Sequence, residues 1–181
     1  MIKRILIVIV LVVVVGAAYL GWRIYTHGYT ARRKPGPVET WVARRLRHLG
    51  APREMRERKN PIEPTMLAIA EGRDHFADHC ATCHGNDGSG DTYINQGLYP
   101  PAPDMRLSAT QNLSDGELFY IIQQGVPFTG MAGWGGEDEE NWKLVLFVRH
   151  LPVVSAREIE LMQEINHIPP PDAGGHGSAK E

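Results

Sequence analysis

Cysteine is scarce in this chain: its 181 residues hold two, Cys80 and Cys83. A closed structural zinc site needs four ligands, commonly two Cys-x-x-Cys pairs or one pair with two spaced histidines. There is no third cysteine, and no His-x-x-x-His follows the pair. Strand signals are missing too. No stretch alternates apolar and polar residues convincingly, and no internal repeat recurs. A thioredoxin-like dithiol opens a helix directly after a strand, and the helix N-terminus lowers its thiol pKa. Here the cysteines close a helical pattern instead, so both of these uses of a Cys-x-x-Cys lose their context.

The formal net charge of -2 is small, but it hides an asymmetry. From Arg23 to Asn60 there are eleven Lys/Arg against three Asp/Glu, and from Pro61 to Glu181 six against eighteen. A basic neck joined to an acidic body suits electrostatic docking at two surfaces, or two solvated faces of opposite sign. At the N-terminus Lys3 and Arg4 precede an uncharged apolar run from Ile5 to Trp22. Those eighteen residues span about 27 Å as a helix, close to the hydrocarbon thickness of a bilayer. Tyr19, Trp22 and Tyr25 sit where an interfacial aromatic belt would lie. The run is read as an uncleaved anchor. A signal peptide cut near Val15, Gly16 and Ala17 is the alternative, and either one exports the chain.

The expected organisation has four parts: an anchor over residues 1–25, a basic linker over 26–60, a body over 61–165 and a disordered tail over 166–181. In the linker, Val38, Trp41, Val42, Leu46 and Leu49 share one face of a short helix, with Arg44, Arg45 and Arg47 around the rest. That helix suits anionic headgroups, a partner subunit or the protein's own body. "REMRERKNPIEPT" reads as a second polar linker. In the body, one helix runs from about Thr65 into the cysteine motif. A second starts at the capping box Ser114/Glu117 and closes at Gly125. A third opens with Asp138, Glu139 and Glu140 and stops at Pro152. "SAREIELMQEIN" reads as a further short helix. The long loop between the first two helices carries function, as long unpatterned loops usually do.

Cys80, Cys83 and His84 have the i, i+3, i+4 spacing of one helix face. Two sulfurs on that face can form thioethers at one edge of a haem, and the imidazole can reach its iron. Cys-x-x-Cys-His is the c-type attachment signature. Gly72 and Phe76 extend the same face backwards, Phe76 as core and Gly72 as room for a crossing helix.

With these residues placed, the body resembles a class I c-type cytochrome. "GRDHFADHCATCHG" is similar to that family's haem helix, "NDGSG" to its Gly-rich turn, "LYPPAPD" to its proline loop, "TGMAGWGG" to its distal methionine loop and "NWKLVLFVRHLP" to its last helix. The resemblance spans about Pro61 to Leu151. It implies an all-α fold, the class I cytochrome c fold, with three to four helices around one covalently bound haem c. The N-terminal transmembrane helix adds to that fold. Cys80 and Cys83 would hold the haem, with His84 and Met131 as axial ligands. Ala132 stands where the family usually has proline, which loosens the loop. Met105, Met66 and Met162 read as packing. Gly130 and Gly133 let the backbone approach the haem. Bis-histidine ligation is the alternative to Met131.

A carbonyl of the Pro100, Pro101 and Pro103 segment is expected to accept from His84 Nδ1. Tyr93, Tyr99, Phe128 and Trp134 are candidates to enclose the porphyrin, and Arg106 to pair with a propionate. His75 and His79 read as exposed bystanders. The expected function is an electron carrier and not an enzyme: a membrane-anchored monohaem cytochrome shuttling electrons between respiratory partners. Its expected location is the bacterial cytoplasmic membrane, with the haem domain on the periplasmic side and no nucleic-acid partner. The rivals are a fixed cytochrome subunit of an oxidase, nitric oxide reductase or dehydrogenase, and a haem enzyme or gas sensor with a labile sixth position.

Overall fold

Helix α1, Ile2–His27, is long and apolar, and none of its residues is buried. Among the described residues it is the one helix with the length and composition to cross a membrane. The structure, a computed structural model, describes residues 1–168. The expected tail therefore lies outside the described residues from 169 onward. Among those described, every regular element is helical.

Residues from Arg32 onward make a separate compact unit. Helix α4, Met66–His75, starts at Thr65, whose hydroxyl accepts from the Ala68 N–H at 3.1 Å. It continues through a π turn at Phe76–Cys80 into α5, Ala81–His84, and stops at Gly85 with φ +74°. Helix α7, Asp115–Gln124, has the expected capping box between Ser114 and Glu117. Helix α8, Asp138–His150, passes through a 3₁₀ turn at Leu151–Val153 to α9, Ala156–Asn166. A second capping box, Ser155 with Glu158, opens α9. The short α6 spans Ser108–Gln111, and a 3₁₀ turn spans Asn95–Gly97.

Helices α4 and α8 cross at Gly72. A Cβ there would lie 2.1 Å from the Lys143 carbonyl oxygen, so only glycine lets the backbones meet. The crossing brings Phe76 to Phe147 at 5.2 Å between ring centroids. Phe119 stacks on Trp142 at 4.2 Å, and the Arg58 guanidinium covers both rings. Phe76, Phe119, Trp142, Val145, Phe147, Leu151 and Met162 are fully buried, each contributing roughly 1.5–3 kcal/mol of transfer free energy. Met162 packs as expected, whereas Met66 is exposed at the first position of α4.

The neck differs from its sequence reading. Helix α2, Pro37–Gly50, is where the periodicity put it, but the second polar linker contains helix α3, Arg53–Glu57. It packs on α7 so closely that a Cβ on Gly116 would strike the Met55 carbonyl. Asn60 donates to the Trp142 carbonyl at 2.9 Å, and the Arg56 carbonyl accepts from Ser114 Oγ at 2.7 Å. Residues 37–60 therefore belong to the same compact unit as the body expected to start at Pro61.

Candidate functional site

The motif helix carries one feature that the spacing hides. Through the π turn the Ala81 N–H bonds to the Phe76 carbonyl, five residues back. A π turn widens the helix and shifts its register. The core face is therefore Phe76, Ala77 and Ala81, all buried, while Cys80 and Cys83 are half-buried. Gly72 and Phe76 are buried, and Cys80, though half-buried, packs against the same core, so the expected stripe persists through the π turn.

Neither cysteine is in a disulfide. Burial, and secondarily the neighbouring Cys83, pushes the Cys80 thiol up to about 12, and burial raises Cys83 as well. A cycling dithiol needs the opposite shift, because the thiolate is the nucleophile. Among the described residues no three His, Cys, Asp or Glu side chains gather to hold a metal ion.

Burial pulls the His84 imidazole down to about 4, so it is neutral at ordinary pH, the form that ligates metal. Its Nδ1 is buried and has no hydrogen-bond partner among the described residues. The expected carbonyl of the Pro100–Pro103 segment does not accept from it. That segment is pinned elsewhere: the Asn95 amide donates to the Gly90 and Ala102 carbonyls and accepts from the Ala102 N–H. Asn95 is buried, and its role in holding the loop has no local sequence signal. The loop is also tied to the motif backbone. The Gly90 N–H donates to the His84 carbonyl at 2.8 Å, and Thr92 Oγ1 to that of Cys83 at 3.3 Å. Pro101 is half-buried in this segment, and Met105 is buried in the core.

Two polar candidates have protein partners. Arg106 donates to both oxygens of Asp104 at 2.8–2.9 Å and to Asp87 at 2.9 Å. This hydrogen bonding holds the Asp104 carboxyl below its usual range. Tyr99 donates its hydroxyl to Glu39 in α2 at 2.5 Å.

The Met131 loop is fastened to the end of α7. The Val126 N–H donates to the Met131 carbonyl, and the Trp134 and Gly135 N–H groups to those of Ile122 and Gln123. The Met131 N–H donates to Thr129 Oγ1 at 3.0 Å. Gly133 is needed here because a Cβ would lie 2.7 Å from the Gln124 carbonyl carbon, and one on Gly130 would strike Leu98. The close approach that these glycines allow is thus to α7 and the proline loop. Met131 itself is half-buried. Trp134 stacks on His79 at 5.3 Å and 8° between planes, so His79 is no bystander: it joins the methionine loop to the motif helix beside Cys80. His75 meets His79 edge-on at 5.0 Å. Phe128 has φ +61° and stands fully in solvent, and Tyr93 is exposed as well.

The arrangement has a counterpart among known proteins. The model of the family described as cytochrome c oxidase, cbb3-type, subunit III, matches residues 67–148. That match is to a c-type cytochrome domain and is consistent with a class I c-type cytochrome. No curated protein matches the chain.

The match begins inside α4 and ends inside α8, so it contains the motif helix, the proline loop, α7 and the methionine loop. A c-type cytochrome domain implies haem c, and the residues of this one fit it. Two unpaired thiols stand three residues apart on one helix, followed by a neutral imidazole whose buried Nδ1 finds no partner among the described residues. Haem supplies a one-electron iron couple where it is bound. Neck helices α2 and α3 lie outside the match, yet they touch the cytochrome domain at Tyr99, Ala109 and Ser114.

Proposed function

We propose that the chain is a membrane-anchored monohaem c-type cytochrome passing single electrons between respiratory partners. The observation that carries this reading is the motif helix: two free thiols with raised pKa beside a neutral His84 whose Nδ1 is buried. Cys80 and Cys83 hold one haem c covalently. His84 supplies the proximal nitrogen and Met131 the distal sulfur, a ligand pair that favours reduced iron and raises the potential. The Asn95-pinned loop and the His79–Trp134 stack flank the site. Pro101, Tyr99 and Trp134 line the haem pocket, and Arg106 reaches a propionate from its place beside Asp104. Helix α1 anchors the chain in the cytoplasmic membrane, with the cytochrome domain on the periplasmic side. The acidic body favours partners with basic patches and salt-sensitive encounters.

The description of the matching family favours a second reading, in which the chain is a fixed subunit of a respiratory oxidase. Purification of the full chain from membranes separates the two. A stoichiometric partner marks a subunit, and an isolated haem protein marks a carrier. One haem per chain that survives denaturation and acid-acetone extraction is expected, with a ferric methionine–iron band that Met131→Ala abolishes. An extractable haem would refute covalent attachment. A band that persists in Met131→Ala would remove Met131 as ligand, and absence of any such band would point to a sensor or enzyme with an open sixth position.

A further inference from the structure

Helix α2 is held to the cytochrome domain by its polar side. Glu39 accepts from the Tyr99 hydroxyl at 2.5 Å, Arg47 donates to the Ala109 carbonyl at 3.4 Å, and His48 Nδ1 meets Glu117 Oε1 at 2.5 Å. The apolar residues lie on the other side, uncovered. Val38 is 74% exposed, Trp41 61%, Leu46 64% and Leu49 71%. With Val42 and Arg45 they fill one arc of about 140° at 100° per residue. The Arg45 guanidinium lies over the Trp41 ring, 5.7 Å from its centroid. A soluble helix packs the opposite way, and an uncovered apolar stripe of this kind marks an interaction surface.

Two observations indicate what covers it. The first is reach. Residues 28–36 link α1 to α2, and ten peptide steps extend at most about 35 Å. If α1 spans a bilayer, α2 cannot leave the neighbourhood of that bilayer's surface. The second is charge. Arg45 lies within the stripe over Trp41 and Arg44 beside it, Arg33 and Lys34 precede the helix, and its single acid, Glu39, is bonded to Tyr99. An apolar and aromatic stripe edged with arginine matches the boundary between anionic headgroups and acyl chains.

We propose that α2 lies in the headgroup layer of the membrane that α1 spans. Val38, Trp41, Val42, Leu46 and Leu49 enter the lipid, and the opposite polar face holds the cytochrome domain at the surface. The proposal rests on reading α1 as a membrane span. It adds a second contact with the bilayer, one that limits the domain's rotation and fixes which of its faces meets a partner.

The test uses the full haem-loaded chain in vesicles of equimolar phosphatidylcholine and phosphatidylglycerol. A spin label is placed singly by Leu46→Cys, Leu49→Cys, Val12→Cys or Glu160→Cys, and the visible spectrum confirms that each variant is folded. Oxygen collides with labels in lipid and a nickel chelate with labels in water. The labels at 46, 49 and 12 are expected to favour oxygen, and that at 160 the nickel chelate. Nickel collisions at 46 and 49 equal to those at 160, with 12 still in lipid, would overturn the proposal and leave the anchor standing. Nickel collisions at 12 as well would overturn the anchor and the proposal together. Exclusion of both reagents at 46 and 49 would assign the stripe to a protein, whether a second copy or a partner subunit, and overturn the lipid assignment.

Discussion

Gly72 shows how much one residue decides. The Lys143 carbonyl occupies the space where a side chain would start. Gly72→Ala is expected to force α4 from α8 and to cost about 2 kcal/mol or more, measured by urea denaturation. Met105 and Met131 should separate by the same approach. Met105 is buried in the core, so Met105→Ala should lose about 2–4 kcal/mol while keeping the ferric methionine band. Met131→Ala should lose the band with a smaller stability change, because Met131 is only half-buried. Gly72 was legible from its spacing to the cysteines. Asn95 was not, because its importance comes from where a long loop happens to fold back on itself.

At the scale of elements, the capping box of α7 was readable because its own bonds are local. Ser114→Ala is expected to cost about 1–2 kcal/mol, since it removes the cap of α7 and also the bond to the Arg56 carbonyl. Thermal or urea unfolding would show it. Glu117 links that cap to α2. Burial acts to raise its carboxyl pKa, but hydrogen bonds from Ser114 and His48 outweigh burial, and the net shift is downward. A carboxyl depressed in the folded state stabilises the fold above its unfolded pKa, near 4.3. That stability is lost as pH falls through the lower folded value. In Glu117→Gln this part of the acid limb of a stability–pH curve should flatten. The π turn had no readable signal: "FADHC" is an ordinary helical string, and the turn packs against α9, which lies far along the sequence.

At the scale of the molecule, α1 and the unit from Arg32 onward are separate bodies. A chain that begins at Arg32 behind a cleavable export signal is expected to fold and take up haem with an unchanged visible spectrum. It should leave the integral membrane fraction, which membrane fractionation would show. The opposite charges of neck and body were plain in the composition. That the neck is fastened to the body was not, since Tyr99–Glu39 and His48–Glu117 join residues 60 and 69 positions apart.

The amino-acid sequence alone determined what depends on short range. The apolar run of α1, the capping box of α7 and the Cys-x-x-Cys-His spacing each follow from composition or from a few neighbours. The tertiary structure decided what depends on distant segments meeting. It stacked His79 on Trp134 and closed the proline loop on Asn95. It also showed which side of α2 is covered. Periodicity can define an apolar face, but only the fold shows whether the protein itself buries it.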